Sequence, residues 1–159
     1  MSVTIRFATP ADAEILHGFI VALATYERAP GEVRVTPEVL RAQLAEEPPP
    51  FECLLAEEGG SALGFALFVH NYSTWLGRRG IYLEDLFVLP EHRGRGIGRR
   101  LLAEIARLAV ARDCGRVEWA VLDWNEPALD FYRALGAAPL DDWVICRLTG
   151  AALEALGRA

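Results

Sequence analysis

The stretch from Ile81 to Arg112 constrains this chain more than any other. Ile81-Tyr-Leu-Glu-Asp-Leu-Phe-Val-Leu89 is rich in apolar and aromatic residues and reads as a strand, which Pro90 ends. Arg93-Gly-Arg-Gly-Ile-Gly98 follows, and from Ile97 to Arg112 the apolar positions Leu101, Leu102, Ile105, Leu108 and Ala109 recur at helical spacing, with arginines on the other face. A strand, a glycine loop and an amphipathic helix therefore come in immediate succession. Gly94, Gly96 and Gly98 let backbone amides approach one another and point into the loop, where they meet the unpaired amides and positive dipole end of the helix. A diphosphate fits such a seat. The loop lacks the Lys-Ser or Lys-Thr of a P-loop, and no long strand-helix-strand unit with a distal acid marks a dinucleotide fold. Arg93, Arg95, Arg99 and Arg100 add guanidiniums suited to charge-assisted bonds with phosphates. A plain turn before a solvated basic helix face accounts for those arginines, but not for three glycines within five positions.

The rest of the chain arranges itself around this unit. Val3 to Phe7 alternates like a half-buried strand, and Thr9-Pro10 opens a helix to about Tyr26. Arg28 to Arg34 reads as a loop, and Thr36-Pro37 starts a second helix that stops before Pro48-Pro49-Pro50. Phe51 to Glu57, Ala62 to Tyr72 and Ile81 to Leu89, separated by glycine turns, predict an antiparallel meander. Beyond the amphipathic helix come a strand at Val117 to Leu122, a short helix at Pro127 to Leu135 closed by Gly136, a last strand at Trp143 to Leu148 and a small terminal helix. The expectation is an α/β fold, a central sheet flanked by helices, in a single domain covering residues 1–159.

Composition removes several classes of function. The net charge of −6 argues against a nucleic-acid binder and suits a cationic small substrate. Apolar runs such as Ala62 to Val69 are far shorter than the roughly 20 residues of a membrane span, and the N-terminus lacks the features of a secretory signal, so a cytoplasmic location is expected. Cys53, Cys114 and Cys146 are widely spaced among apolar neighbours and read as buried reduced thiols; with His17, His70 and His92 in no ligand-like spacing, no metal is expected.

Arg93-x-x-Gly96-x-Gly98 after an apolar strand resembles the acetyl-CoA motif of the GNAT N-acetyltransferase superfamily. Within it, Tyr82-Leu-Glu-Asp-Leu-Phe-Val88, Arg93-Gly-Arg-Gly-Ile-Gly98, Trp124-Asn-Glu-Pro127 and Phe131-Tyr-Arg-Ala-Leu-Gly-Ala137 resemble the diamine (spermidine/spermine) acetyltransferases. The likeness runs from Val3 to Leu148. It implies a mixed, mostly antiparallel sheet splayed where acetyl-CoA, the cosubstrate, binds. Leu86, Phe87 and Val88 match positions whose free backbone groups pair with the pantetheine arm, and the amide of Leu86 or a neighbour would polarise the thioester carbonyl. Arg93, Gly94, Arg95, Gly96, Ile97, Gly98 and Arg99 match the pyrophosphate loop, with Asn125 and Ala128 on the cofactor's other side.

Tyr132 matches the family's general acid for the leaving thiolate, although taken by itself it reads as a core tyrosine on a short helix. Glu84 is the candidate general base: an amine arrives protonated and must lose a proton before it attacks. Two adjacent acids in an apolar strand are costly unless they face solvent or a site, and strand alternation sends Glu84 and Asp85 to opposite faces, leaving Asp85 to cap a helix or pair with an arginine. Tyr26, Glu27 and Trp75 match residues lining the amine pocket, Glu27 to hold a distal ammonium and Trp75 to offer its ring face. A solvated helix end is the rival explanation of Tyr26 and Glu27.

Polyamine-type members carry Asp-Pro-Trp where this chain has Ser73-Thr74-Trp75. That loss, together with Ala120-Val-Leu-Asp-Trp-Asn125, resembles the thialysine Nε-acetyltransferase branch and favours a small amino acid or diamine over spermine. The resemblance further implies direct transfer without an acetyl-enzyme and a homodimer whose interface includes Trp143 to Leu148. The rival expectations are another acceptor, such as a peptide N-terminus, an antibiotic or a polyamine, and a silent acyl-CoA sensor.

Overall fold

A computed structural model describes residues 2–159, which fall into two compact units divided after Ala120. The first holds a five-stranded sheet in the order β1 (Thr4–Phe7), β2 (Glu52–Glu58), β3 (Ser61–Ser73), β4 (Arg78–Val88) and β5 (Val117–Glu118). Neighbours from β1 to β4 are antiparallel, and β5 joins β4 in parallel. Helices α1 (Ala13–Tyr26), α2 (Pro37–Leu44) and α3 (Ile97–Ala111) complete this unit. The meander and the strand-loop-helix unit stand where the sequence puts them.

Strand alternation explains how the helices are shared between the faces. Cys53, Leu55, Phe65, Leu67 and Phe87 occupy one face and pack with Ala13, Leu16 and Phe19 of α1 and Leu40 of α2. Phe19 stacks on Phe65 with ring centroids 5.3 Å apart. Leu54, Ala66, Phe68 and Leu83 fall on the other face and are buried on the side that receives α3, whose Leu101, Leu102, Ile105 and Leu108 are buried in turn. Each large side chain so enclosed contributes about 1.5 to 3 kcal/mol.

At one corner Arg6 on β1 bonds Asp12 through both terminal nitrogens at 2.8 Å and Glu57 on β2 at 2.7 and 3.0 Å. Asp12 also accepts from the Thr9 amide at 2.7 Å, fixing the turn into α1. Arg6 holds the Asp12 carboxyl down at about 2.

The second unit contains α4 (Glu126–Ala134) and α5 (Gly150–Gly157). The Asn125 side chain caps α4, accepting from the Ala128 amide, and Gly136 at φ 90° ends it in the left-handed conformation. Two expectations are corrected here. The strand foreseen at Val117 to Leu122 pairs only at Val117 and Glu118, and no strand forms at Trp143 to Leu148. That stretch is irregular, with Trp143, Val144 and Ile145 well exposed, because apolar β-branched composition supplies side chains for a sheet but not a neighbouring strand to satisfy the backbone. Cys146 is exposed with it and Cys114 is half-buried; only Cys53 is the enclosed thiol that all three were expected to be.

Candidate functional site

The end of β4 is shaped by three departures from a regular sheet. Its partner β5 engages only Ile81 and Tyr82, leaving Leu83 to Val88 without a strand on that side. On the other side the register with β3 jumps, Leu67 facing Asp85 while Phe68 faces Leu83, so Glu84 is an extra residue in a bulge. At the strand's end Gly64 lets β3 come very close: a Cβ there would lie 2.6 Å from the Phe87 carbonyl oxygen. The Leu89 amide donates to Leu63 at 2.9 Å and pins the same point. Leu86, Phe87 and Val88 are thus held from β3 while their other edge is open.

The bulge interrupts the strand alternation from which the two acids were expected to part. An extra residue cancels one alternation, so Asp85 joins the face of Leu67 and Phe87, toward α1, while Leu83 stays on the face of Phe68, and Glu84 is the unpaired residue between them. Glu84 is exposed and Asp85 half-buried, and no cation lies within ion-pair distance of Asp85 among the described residues. The arginine partner or helix cap foreseen for Asp85 is absent there. Burial, then the charges of Glu84 and Glu27, push the Asp85 carboxyl up to about 6. Burial raises Glu27 as well, and burial with the fields of Glu84 and Glu118 raises the Tyr82 phenol.

The glycine loop has the expected form. Gly94 and Gly96 adopt φ of 77° and 74°, which side chains resist, and Gly96 begins α3 with no side-chain cap. The first helical bond runs from the Arg100 amide to the Gly96 carbonyl, so the amides of Ile97, Gly98 and Arg99 have no acceptor within the helix and present an anion seat. Gly98 lies within the helix, where its φ is not positive.

The arginines are less uniform than the sequence suggests. Arg93 Nε donates to the Val88 carbonyl at 2.9 Å, with its guanidinium over the Tyr26 and Phe87 rings. Arg95 bonds both oxygens of Glu58, at the β2–β3 turn, at 2.8 and 3.0 Å. Arg99 is exposed and forms no ion pair among the described residues.

Tyr26 and Glu27 stand at the end of α1, Glu27 within electrostatic reach of Asp85. Trp75 does not join them: it is 84% exposed in the β3–β4 turn, and Glu84 lies six residues up the strand from Arg78, roughly 20 Å away at strand rise. Ser73 is buried, its hydroxyl accepting from the Leu76 amide at 3.1 Å and closing that turn. In the second unit Tyr132 is half-buried on α4 with its ring 5.4 Å from Phe131. The sequence assigns Asp85 a structural partner that the structure does not supply among the described residues; the bulge that sets its face leaves no mark in composition.

Comparison with known proteins bears on this geometry. Residues 19–137 match the family described as "Acetyltransferase (GNAT) family". The chain is 40% identical to the thialysine N-epsilon-acetyltransferase of Sus scrofa over 166 residues, covering 98% of this chain and 97% of that protein. The L-ornithine N5-acetyltransferase NATA1 of Arabidopsis thaliana is 45% identical over 95 residues, covering 60% of this chain and 42% of that one. Among solved structures, an integron cassette protein from the mobile metagenome of V. cholerae superposes with a TM-score of 0.82 at 27% identity, covering 100% of this chain and 99% of that one.

Proposed function

The chain belongs to the acetyltransferase (GNAT) family and is an acetyl-CoA-dependent N-acetyltransferase, and from that premise we propose that its acceptor is the terminal primary amine of a small amino acid of the thialysine or ornithine kind, or of a short diamine. The observation that carries this reading is the closeness of Glu84 and Glu27 to Asp85 at the open end of β4, where Asp85 has no ion-pairing cation among the described residues.

In this reading Glu84 takes a proton from the bound ammonium, directly or through water, and frees the lone pair for attack on the thioester carbon. Asp85 and Glu27 hold the substrate's cationic groups, with Tyr26 against its chain. The open backbone of Leu86, Phe87 and Val88 aligns the pantetheine arm, and an amide at Leu86 polarises the carbonyl. Gly94, Gly96 and the amides of Ile97, Gly98 and Arg99 seat the pyrophosphate. Asn125 and Ala128 flank the cofactor, and the Tyr132 hydroxyl returns a proton to the departing thiolate as the C–S bond breaks.

A homodimer is part of the proposal. Trp75 stands too far from its own Glu84 to line the same pocket, so a second copy supplies it, and the exposed Trp143 to Leu148 stretch offers apolar surface to that partner. The two compact units work as one acetyltransferase domain, in the cytoplasm, where three unbridged cysteines are at home.

Thiol release from acetyl-CoA, measured against thialysine, ornithine, lysine, putrescine, spermidine and spermine, tests the reading. Turnover with the small amino acids or putrescine exceeding that with spermine is expected; activity on peptide N-termini alone, or acetyl-CoA binding with no transfer, overturns it. Tyr132→Phe is expected to lower kcat by about 10²-fold. Full turnover of that variant at every pH removes Tyr132 from its role.

A further inference from the structure

The leading arginine of the glycine loop points away from the anion seat. Its Nε bonds the Val88 carbonyl at 2.9 Å, and its guanidinium carbon lies 5.1 Å from the centre of the Tyr26 ring and 5.2 Å from that of Phe87. These contacts differ in burial. Phe87 is buried in the α1-side core, and Val88 is fixed by the close approach of Gly64; Tyr26 is 40% exposed at the end of a helix. Arg93 therefore joins a residue assigned to the acceptor pocket to the end of β4. Its own backbone adjoins Gly94, the first of the loop residues that an anion would order.

We propose that Arg93 is a positioning residue that couples the two substrate sites, so that filling the loop with CoA raises affinity for the amine and the reverse. The inference rests on the acetyl-CoA and amine sites assigned above. Anything that orders the loop holds the guanidinium against Phe87 and Val88, and the guanidinium in that position holds the Tyr26 ring where the amine meets it. Anything that seats Tyr26 acts back along the same contacts, because coupling between binding sites is reciprocal. The shape of the group matters as much as its charge. A planar guanidinium lies against rings while donating in its own plane to a carbonyl, which a compact ammonium does not reproduce.

The test measures CoA affinity by calorimetry with and without saturating thialysine, or whichever amine of the acceptor panel turns over fastest; CoA in place of acetyl-CoA prevents reaction. The wild-type protein should bind CoA about tenfold more tightly when the amine is present. In Arg93→Lys and Arg93→Gln that ratio should fall to about one, with CoA affinity in the absence of amine within about threefold of wild type. Tyr26→Leu should abolish the ratio and Tyr26→Phe should keep it, and thermal melts of all four variants establish that they are folded. A lysine variant with the full ratio overturns the proposal. So does an Arg93→Gln variant whose only defect is weaker CoA binding with a shallower salt dependence, the mark of a direct phosphate ligand. Transfer by a wild-type protein with no coupling defeats this inference alone, whereas failure to bind CoA defeats the function on which it rests.

Discussion

Two acidic regions lie on the α1 side of the same sheet and differ in one respect. At the corner of β1 and β2, Asp12 and Glu57 share Arg6, and the cation draws the Asp12 carboxyl down to about 2. At the open end of β4, Asp85 has no ion-pairing cation among the described residues, and burial with the charges of Glu84 and Glu27 drives it up to about 6. The first arrangement is complete and holds α1 to the sheet. The second lacks such a cation among the described residues, and in the proposed function the ammonium of the substrate supplies it. Carboxylates placed for structure bring their counterion with them, and carboxylates placed for a cationic substrate leave that position to it.

The largest expected effect separates chemistry from scaffold. Glu84→Gln should lower kcat by at least about 10²-fold with little change in melting temperature, since the side chain is exposed. Unaltered kcat would assign the proton to another group. Asp85→Asn should do the opposite to stability. A carboxyl raised in the folded state binds protons there that the unfolded chain has released, so it lowers stability as pH climbs from about 4 to about 6 and above. The variant should therefore be more stable than wild type at pH 7, by on the order of 2 kcal/mol, and no more stable at pH 4, while KM for the amine rises about tenfold. Denaturant titrations at the two pH values and initial rates check this together.

Asp12→Asn should give the smallest free-energy change and the reverse sign. A carboxyl lowered by its arginine contributes stability that is present above about pH 4 and is lost as pH falls toward 2. The variant should lose about 1 to 2 kcal/mol at pH 7, tempered by the partial exposure of Arg6, with kcat unchanged and the acid limb of the stability profile flattened. Equal pH profiles for the two aspartate variants would erase the distinction between the regions.

Local pattern carried much of this. Hydrophobic periodicity and glycine placement gave α1, the meander, α3 and the anion seat, because spacing within a segment reports which face is buried and which backbone must turn. The last strand was misplaced for want of a partner that no local signal supplies.

The site divides along the same line. Gly94, Gly96 and the helix start were legible because positive φ and unpaired amides are properties of a few consecutive residues. The residue types at Glu84 and Asp85 marked a candidate site by their cost in an apolar strand. The face of Asp85, the company of Glu27, the diversion of Arg93 to Tyr26 and Phe87, and the capture of Arg95 by Glu58 were decided by tertiary structure. By itself the sequence determined which groups are available and how the backbone turns between them. Which of them meet depends on strand register and on residues distant in the chain, where a single bulge moves a carboxylate from one side of a sheet to the other.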